Sequence, residues 1–321
     1  MIITKAPFRI SFFGGSSDYK NFYEKHGSFL IGTTIDKYVY SSLRFRPRIV
    51  SSTSIINYSK REEVSNLLDI KHPLVREIFK LYNVNQSIDL NTFSDIPQRT
   101  GLGGSSSFAV SILLAVYKKF KCDLNKNKLS LDAIKIEREI LNEAGGIQDQ
   151  IWASYGGFNS IEIKQSGEFF VRPLPVSSNF IEEFEQSLVL IYTLQQRDND
   201  VIAKEHIEYD KTKILELSKQ AYLEFQNENI SEIGKLLILS WIEKKKISSN
   251  ICTKQIENII SVLDSINGVY GYKLPGAGGG GFIVAICNQT AKNKLNEIFK
   301  DSILPIKIEK NGASCIHYQE E

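Results

Sequence analysis

Between Pro97 and Phe108 the chain reads PQRTGLGGSSSF, which sets Gly101, Gly103 and Gly104 against Ser105, Ser106 and Ser107. Residues without a Cβ let the backbone curl tightly and bring its N–H groups close to a ligand. The segment that follows is helical by its spacing, with Phe108, Ile112, Ala115, Val116 and Phe120 on one face, and a helix is expected over 105–120. Lys118, Lys119 and Lys121 fall at its end, where cations complement the helix dipole. A glycine loop feeding a helix N-terminus suits an anion, phosphate above all. Gly101, Leu102, Gly103, Gly104, Ser105, Ser106 and Ser107 are then the candidate contacts. The same letters also suit a flexible turn with a serine cap.

Several phosphate chemistries use such loops. A Walker loop ends in GK followed by Ser or Thr, and neither glycine cluster, 101–104 or 276–281, has the lysine. Gly276, Gly278 and Gly281 spell a dinucleotide fingerprint, but that device needs a helix immediately after it. Here the strand-like run FIVAIC follows, which disfavours a nicotinamide enzyme. Cys122, Cys252, Cys287 and Cys315, like His26, His72, His206 and His317, are scattered without a CxxC pair or an HExxH. Neither a zinc site nor a disulfide framework is expected. His72 precedes Pro73 and reads as a residue that starts a helix.

Strands and helices must hold these groups in place. TKAPFRISFFGG and GSFLIGTTIDKYVYSSLRFR read as strands, Pro73 to Tyr82 as a helix and SIDLNTF as a strand. Ser130 is placed to cap a helix over LDAIKIEREILNEA that Gly145 and Gly146 end, and GIQDQIWASY opens a short helix. GGFNSIEI and EFFVRPL read as a hairpin and SLVLIYT as a buried strand. Helices are expected near 211–226, 230–249, 253–267 and 290–300, and strands at VYGYKL, FIVAIC, PIKIEK and ASCIHY. The elements mix without regular βαβ alternation, so the class is α+β. A composition shift around RPLPVSSNF marks a lobe boundary near 175–185, dividing the chain into 1–180 and 181–321.

Bulk properties exclude some classes. A chain of 321 residues, 42% hydrophobic and 24% charged, can bury a sizeable core. Its formal charge of +2, from 39 basic and 37 acidic residues, gives no general attraction to nucleic acid. No apolar stretch approaches the roughly 20 residues of a membrane span, and MIITKAPFRI lacks a signal-peptide layout. A cytoplasmic monomer or homodimer acting on small molecules, with no nucleic-acid or membrane partner, is expected.

Three segments, APFRISFFGGSSDY (6–19), PQRTGLGGSSSF (97–108) and KLPGAGGGGF (273–282), resemble the three motifs of the GHMP sugar and isoprenoid kinases, in order and spacing. The resemblance implies a two-lobed fold, with an N-terminal lobe like the second domain of ribosomal protein S5 and a ferredoxin-like C-terminal lobe. IEREILNEAGGIQDQIWASYGGFNSIE (136–162) and SWIEKKKIS (240–248) further resemble the heptose 7-phosphate kinase branch, which phosphorylates the anomeric hydroxyl of an already phosphorylated sugar.

Phosphoryl transfer asks a protein to position groups and neutralise charge. By resemblance, ATP lies on the 101–107 loop, Mg2+ is held by Ser105 and Glu137, Asp149 is the general base and Arg9 supports it. On spacing alone Glu137 reads as a solvated helix carboxylate beside a lysine or arginine. Gly15, Ser16, Asp18, Gly278 and Gly279 become candidate sugar contacts, and Arg197 the partner of the substrate phosphate, with Lys244, Lys245 and Lys246 as second candidates. Three positions depart from the family pattern. Gly15 and Ser16 replace the Glu and His of galactokinases, Gly104 replaces a Ser, and Pro275 replaces a Thr or Ser.

Overall fold

The computed structural model describes residues 1–47, 49, 53–122, 125–195, 205–207 and 209–319. Arg197 lies outside the described residues. The first strand, β1 (Ile2–Phe13), pairs antiparallel with the long β2 (Ser28–Phe45), after a short helix α1 (Lys20–His26). Pro7 offers no N–H to a ladder, and the register of β1 against β2 shifts between Pro7 and Phe8. A bulge there re-aims the side chains that follow, Phe8 and then Arg9. β5 (Ile88–Ser94), β3 (Ser54–Asn57) and β4 (Arg61–Val64) extend the sheet beyond β2, with helix α2 (Pro73–Leu81) between β4 and β5 in the chain.

The glycine loop then opens α3 (Gly104–Lys119), whose residues from Ser106 to Tyr117 are all buried. A helix apolar on every side belongs in an interior, and α3 packs on β1, β2 and α5 (Gln148–Tyr155). The helix before α5 differs from the expected one. α4 (Lys126–Ile134) starts four residues before Ser130, because the Asn125 side chain accepts the N–H groups of Asn127 and Lys128. Ser130 is buried inside it and bonds the Lys126 carbonyl at 2.9 Å. From Lys135 to Ile140 the helix widens to a π-turn, and this turn carries Glu137.

The hairpin β6 (Phe158–Ile163) and β7 (Phe169–Pro173) joins β2 at its N-terminal end, on the same edge as β5 and opposite β1. The stretch expected to hold a lobe boundary contains a helix, α6 (Ser178–Ser187), capped by Ser177. It drives Phe180 and Phe184 into a cluster with Phe12, Phe158 and Phe225, in which Phe12 and Phe184 meet edge to face at 5.4 Å. A second, four-stranded sheet follows in the order β11 (Ile303–Leu304), β8 (Leu188–Tyr192), β10 (Phe282–Cys287), β9 (Val269–Lys273). Helices α7 (Thr212–Gln226), α8 (Ile230–Lys245), α9 (Lys254–Ser265) and α10 (Gln289–Phe299) accompany it, with α8 against β9. The last strands return to the first sheet. β12 (Ile308–Glu309) pairs with β2, and β13 (Ser314–Tyr318) with β1. Division at residue 180 therefore follows sequence order, while 308–318 sit with the N-terminal strands.

Candidate active site

The three glycine segments converge on one cavity of about 630 Å³. Gly101, Gly103, Gly104, Ser105 and Ser106 line it, as do Gly15, Ser16 and Asp18 from the first segment and Gly276 and Ala277 from the third. Gly103 enters α3 with φ 80°, and no side chain caps the helix. Among the described residues, the N–H groups of Gly104 to Ser106 thus stay available to an anion, with the helix dipole behind them. The Leu102 and Ser107 side chains turn inward. Leu102 is fully buried, and the Ser107 hydroxyl bonds the Pro7 carbonyl at 2.8 Å.

Arg9 and Asp149 form a two-pronged ion pair in this cavity. Arg9 Nε donates to Asp149 Oδ1 at 2.8 Å and Nη2 to Oδ2 at 2.9 Å, while Nη1 donates to the Gly101 carbonyl at 2.6 Å. Such charge-assisted, planar pairing fixes both groups. The Arg9 side chain is 4% exposed and that of Asp149 is 24%, so it is the carboxylate that faces the cavity. Asp149 stands in the first turn of α5, where the dipole favours its charge. The pair also explains Gly103. A Cβ there would stand 3.2 Å from Arg9 Cγ and 3.5 Å from the Asp149 carboxyl.

Glu137 is no solvated helix carboxylate. It is fully buried and accepts hydrogen bonds from Ser105 at 3.2 Å, Ser106 at 2.8 Å and Gln150 at 2.5 Å. A hydroxyl and a carboxylate adjoining on the cavity wall are the hard oxygen donors that magnesium takes. Among the described residues no cluster of three or more His, Cys, Asp or Glu could hold a metal, so a cation here would draw its other oxygens from phosphate and water.

Asp18 anchors the opposite wall. Its Oδ1 accepts from the Ser16 N–H and Gln148 Nε2, and its Oδ2 from the Gln148 N–H, each at 3.0 Å. Burial raises its carboxyl above the ordinary value; the Gln148 N–H opposes this and nearby Asp149 adds to it. Gly146 is what admits it so close, since a Cβ there would lie 1.8 Å from Asp18 Oδ2.

At the third loop, Gly276 and Ala277 reach the cavity, whereas Gly278 and Gly279 turn away and pack on Ile251, whose carbonyl accepts the Gly279 N–H at 3.0 Å. Three further residues line the site, of which only Lys244 is among the second candidates for the substrate phosphate. Lys244 is buried and donates to the Leu274 and Gly276 carbonyls at 2.6 and 2.5 Å, bracing the loop around Pro275. Within the same lysine run, Lys246 is exposed and pairs with Glu243. Lys273, also buried, donates to the Phe12 carbonyl at 2.9 Å and Ser240 Oγ at 3.3 Å. Burial, with the Arg9 charge adding, pushes its ammonium down to about 7. The third is His206, between Ser16 and Ala277. Its sequence neighbourhood carries no pattern that could have singled it out.

A glycine-lined helix N-terminus beside an arginine-held carboxylate is what a kinase of this kind requires, and comparison with known proteins agrees. The models for the GHMP kinases N terminal domain and the GHMP kinases C terminal match residues 70–157 and 221–301. The chain belongs to the GHMP kinase family and is a sugar kinase, a phosphotransferase. Kinases of this family take their phosphate from ATP.

Among relatives, the D-glycero-alpha-D-manno-heptose 7-phosphate kinase of Campylobacter jejuni is 30% identical over 315 residues, spanning 92% of this chain and 91% of that protein. A D-glycero-D-manno-heptose 1-phosphate kinase from Bacteroides thetaiotaomicron shares the fold over 100% of both chains, with a TM-score of 0.80 at 24% identity. The mevalonate kinase of Methanococcus jannaschii shares it with a TM-score of 0.71 at 21% identity, over 96% of this chain and 98% of its own. Among the described residues no helix is long and apolar enough to cross a membrane.

Proposed function

We propose that this kinase transfers the γ-phosphate of ATP to the anomeric hydroxyl of D-glycero-D-manno-heptose 7-phosphate, giving the 1,7-bisphosphate for nucleotide-activated heptose and surface polysaccharide. It works in the cytoplasm as a monomer or homodimer. The Arg9–Asp149 pair carries this reading, because it holds a carboxylate facing the cavity beside a helix N-terminus. Asp149 accepts the proton of the attacking hydroxyl. As the new O–P bond forms, the bond between the γ-phosphorus and its bridging oxygen breaks, and ADP leaves with that electron pair.

The N–H groups of 104–106 cradle the nucleotide phosphates, and Arg9 steadies the base and the charge on the transferring group. Ser105 and Glu137 hold Mg2+, which neutralises phosphate charge when bound. Ser16 and Asp18 receive the sugar. Arg197 is the candidate for the substrate's own phosphate, since a planar guanidinium matches a phosphate well. The identity to the Campylobacter jejuni enzyme, over nearly the whole of both chains, supports a heptose phosphate as acceptor.

A panel of free sugars and sugar phosphates, scored for ADP release, tests the reading. Phosphorus NMR should show a new anomeric phosphate on the heptose with the original 7-phosphate intact. Equal efficiency with free and phosphorylated sugars would overturn the choice of acceptor and point to a kinase of unphosphorylated sugars.

A further inference from the structure

His206 is buried to 1% exposure and uses both ring nitrogens. Nδ1 stands 2.8 Å from Ser16 Oγ, and Nε2 stands 2.9 Å from the Ala277 carbonyl oxygen. The ring stacks on Tyr19, with 6.1 Å between centroids and 14° between planes. One side chain therefore bridges the first glycine segment to the third. It does so at Ser16, a cavity-lining residue whose backbone is held at φ 79°.

The two partners make different demands on the ring. A carbonyl oxygen has no hydrogen to give, so Nε2 must carry the proton of the bond to Ala277. Neutral imidazole has one N–H only, which makes Nδ1 an acceptor and the Ser16 hydroxyl the donor between them. A ring shut away from water has lost the hydration an imidazolium requires, which favours this neutral form. With its single hydrogen directed at the ring, Ser16 Oγ offers only lone pairs to the cavity. Asp18 beside it is likewise occupied in accepting N–H bonds.

We propose that His206 sets the hydrogen-bond polarity of the acceptor-sugar subsite. It makes Ser16 Oγ an obligate acceptor that receives a hydrogen bond from a substrate hydroxyl and turns away a phosphate or carboxylate oxygen at that point. The inference rests on the reading of Ser16 as a sugar contact. His206 is a positioning residue, acting through Ser16.

Two measurements test it. On the unliganded protein labelled with 15N-histidine, long-range 1H–15N correlations near neutral pH report the tautomer, with His206→Gln identifying the signals. Protonated Nε2 with bare Nδ1 is expected. An Nδ1–H tautomer or a doubly protonated ring overturns the proposal whatever the enzyme phosphorylates. The second measurement is kinetic, with D-glycero-D-manno-heptose 7-phosphate and its singly deoxygenated and deoxyfluorinated analogues.

At one position of the sugar, fluorine should serve no better than hydrogen, since neither donates, and Ser16→Ala should erase that position's preference for hydroxyl. His206→Phe keeps a ring against Tyr19 but releases the Ser16 hydrogen. It should raise KM for the sugar about three- to ten-fold, the weight of one neutral hydrogen bond, with kcat and the KM for ATP held. His206→Gln, which retains one donor and one acceptor, should recover part of the loss. Fluorine replacing hydroxyl without penalty at every position overturns the proposal. Loss of all sugar kinase activity alongside an Nε2–H tautomer counts against the proposed acceptor alone.

Discussion

Phe8 and Gly104 are so close that no side chain fits between them: a Cβ on Gly104 would lie 2.9 Å from Phe8 Cε1. The Phe8 ring is 1% exposed and sits beneath the first residue of α3, where the GHMP motif usually has serine. Gly104 lacks a left-handed φ. Crowding, not backbone strain, accounts for the departure.

Gly104→Ser should accordingly destabilise the protein by about 1–3 kcal/mol, the usual penalty for an overfilled contact. Phe8→Leu alone should also cost stability, by opening a void. Combined, the two should cost less than the sum of the separate losses, because each relieves the other. Urea unfolding of the four proteins measures the coupling. Strictly additive losses would show that Phe8 is not the obstacle.

Asp149→Asn preserves the shape that Arg9 grips but removes the proton acceptor. Turnover should fall by roughly 10²–10⁴-fold with ATP affinity retained, as read from ADP release and from calorimetry of ATP binding. Near-normal turnover with the heptose phosphate would place the base elsewhere.

Glu137→Gln puts an amide where Ser105, Ser106 and Gln150 all donate, so one acceptor becomes a donor. The magnesium concentration for half-maximal rate should rise while KM for the sugar stays constant. A magnesium titration unchanged from the parent would remove Glu137 from the metal site.

Lys273 makes stability depend on pH. Its folded-state value near 7 lies below the ordinary lysine value, so the unfolded chain binds more protons between about pH 7 and 10. The destabilisation from confining this ammonium is complete below pH 7 and fades as pH rises toward the unfolded value. Lys273→Met should therefore gain most over the parent at pH 7 and least near pH 10. Denaturant unfolding of both proteins across that range checks the sign, and a constant gap would refute it.

Arg197→Ala should raise KM for the sugar phosphate far more than KM for ATP. Steady-state kinetics with each substrate varied in turn decide it, and a change confined to ATP would reassign this arginine.

What was legible in the chain was local. The glycine loop and its helix follow from motif letters, because the required backbone turns are written in adjacent residues. Arg9, Asp149 and Glu137 come through the family resemblance, and Glu137 on spacing alone reads as a solvated carboxylate. α6 was hidden by the Pro and Ser before it, although Ser177 and the spacing of Phe180 and Phe184 announce a capped, one-sided helix. Lys244 shows the harder limit. Nothing in EKKK separates it from its exposed neighbour Lys246, since only the packing of α8 on β9 decides which lysine is enclosed. The Ser16–His206–Ala277 bridge is equally non-local, joining residues far apart in the chain.

The return of β13 to β1 has a consequence for synthesis. Ile2 leaves the ribosome more than three hundred residues ahead of Tyr318, its partner on the outer side. At about 5–20 residues per second, that wait is on the order of tens of seconds. Until then one edge of β1 is an open template for any passing strand. Molecules still on the ribosome, rather than finished ones, are the population that a chaperone must shield.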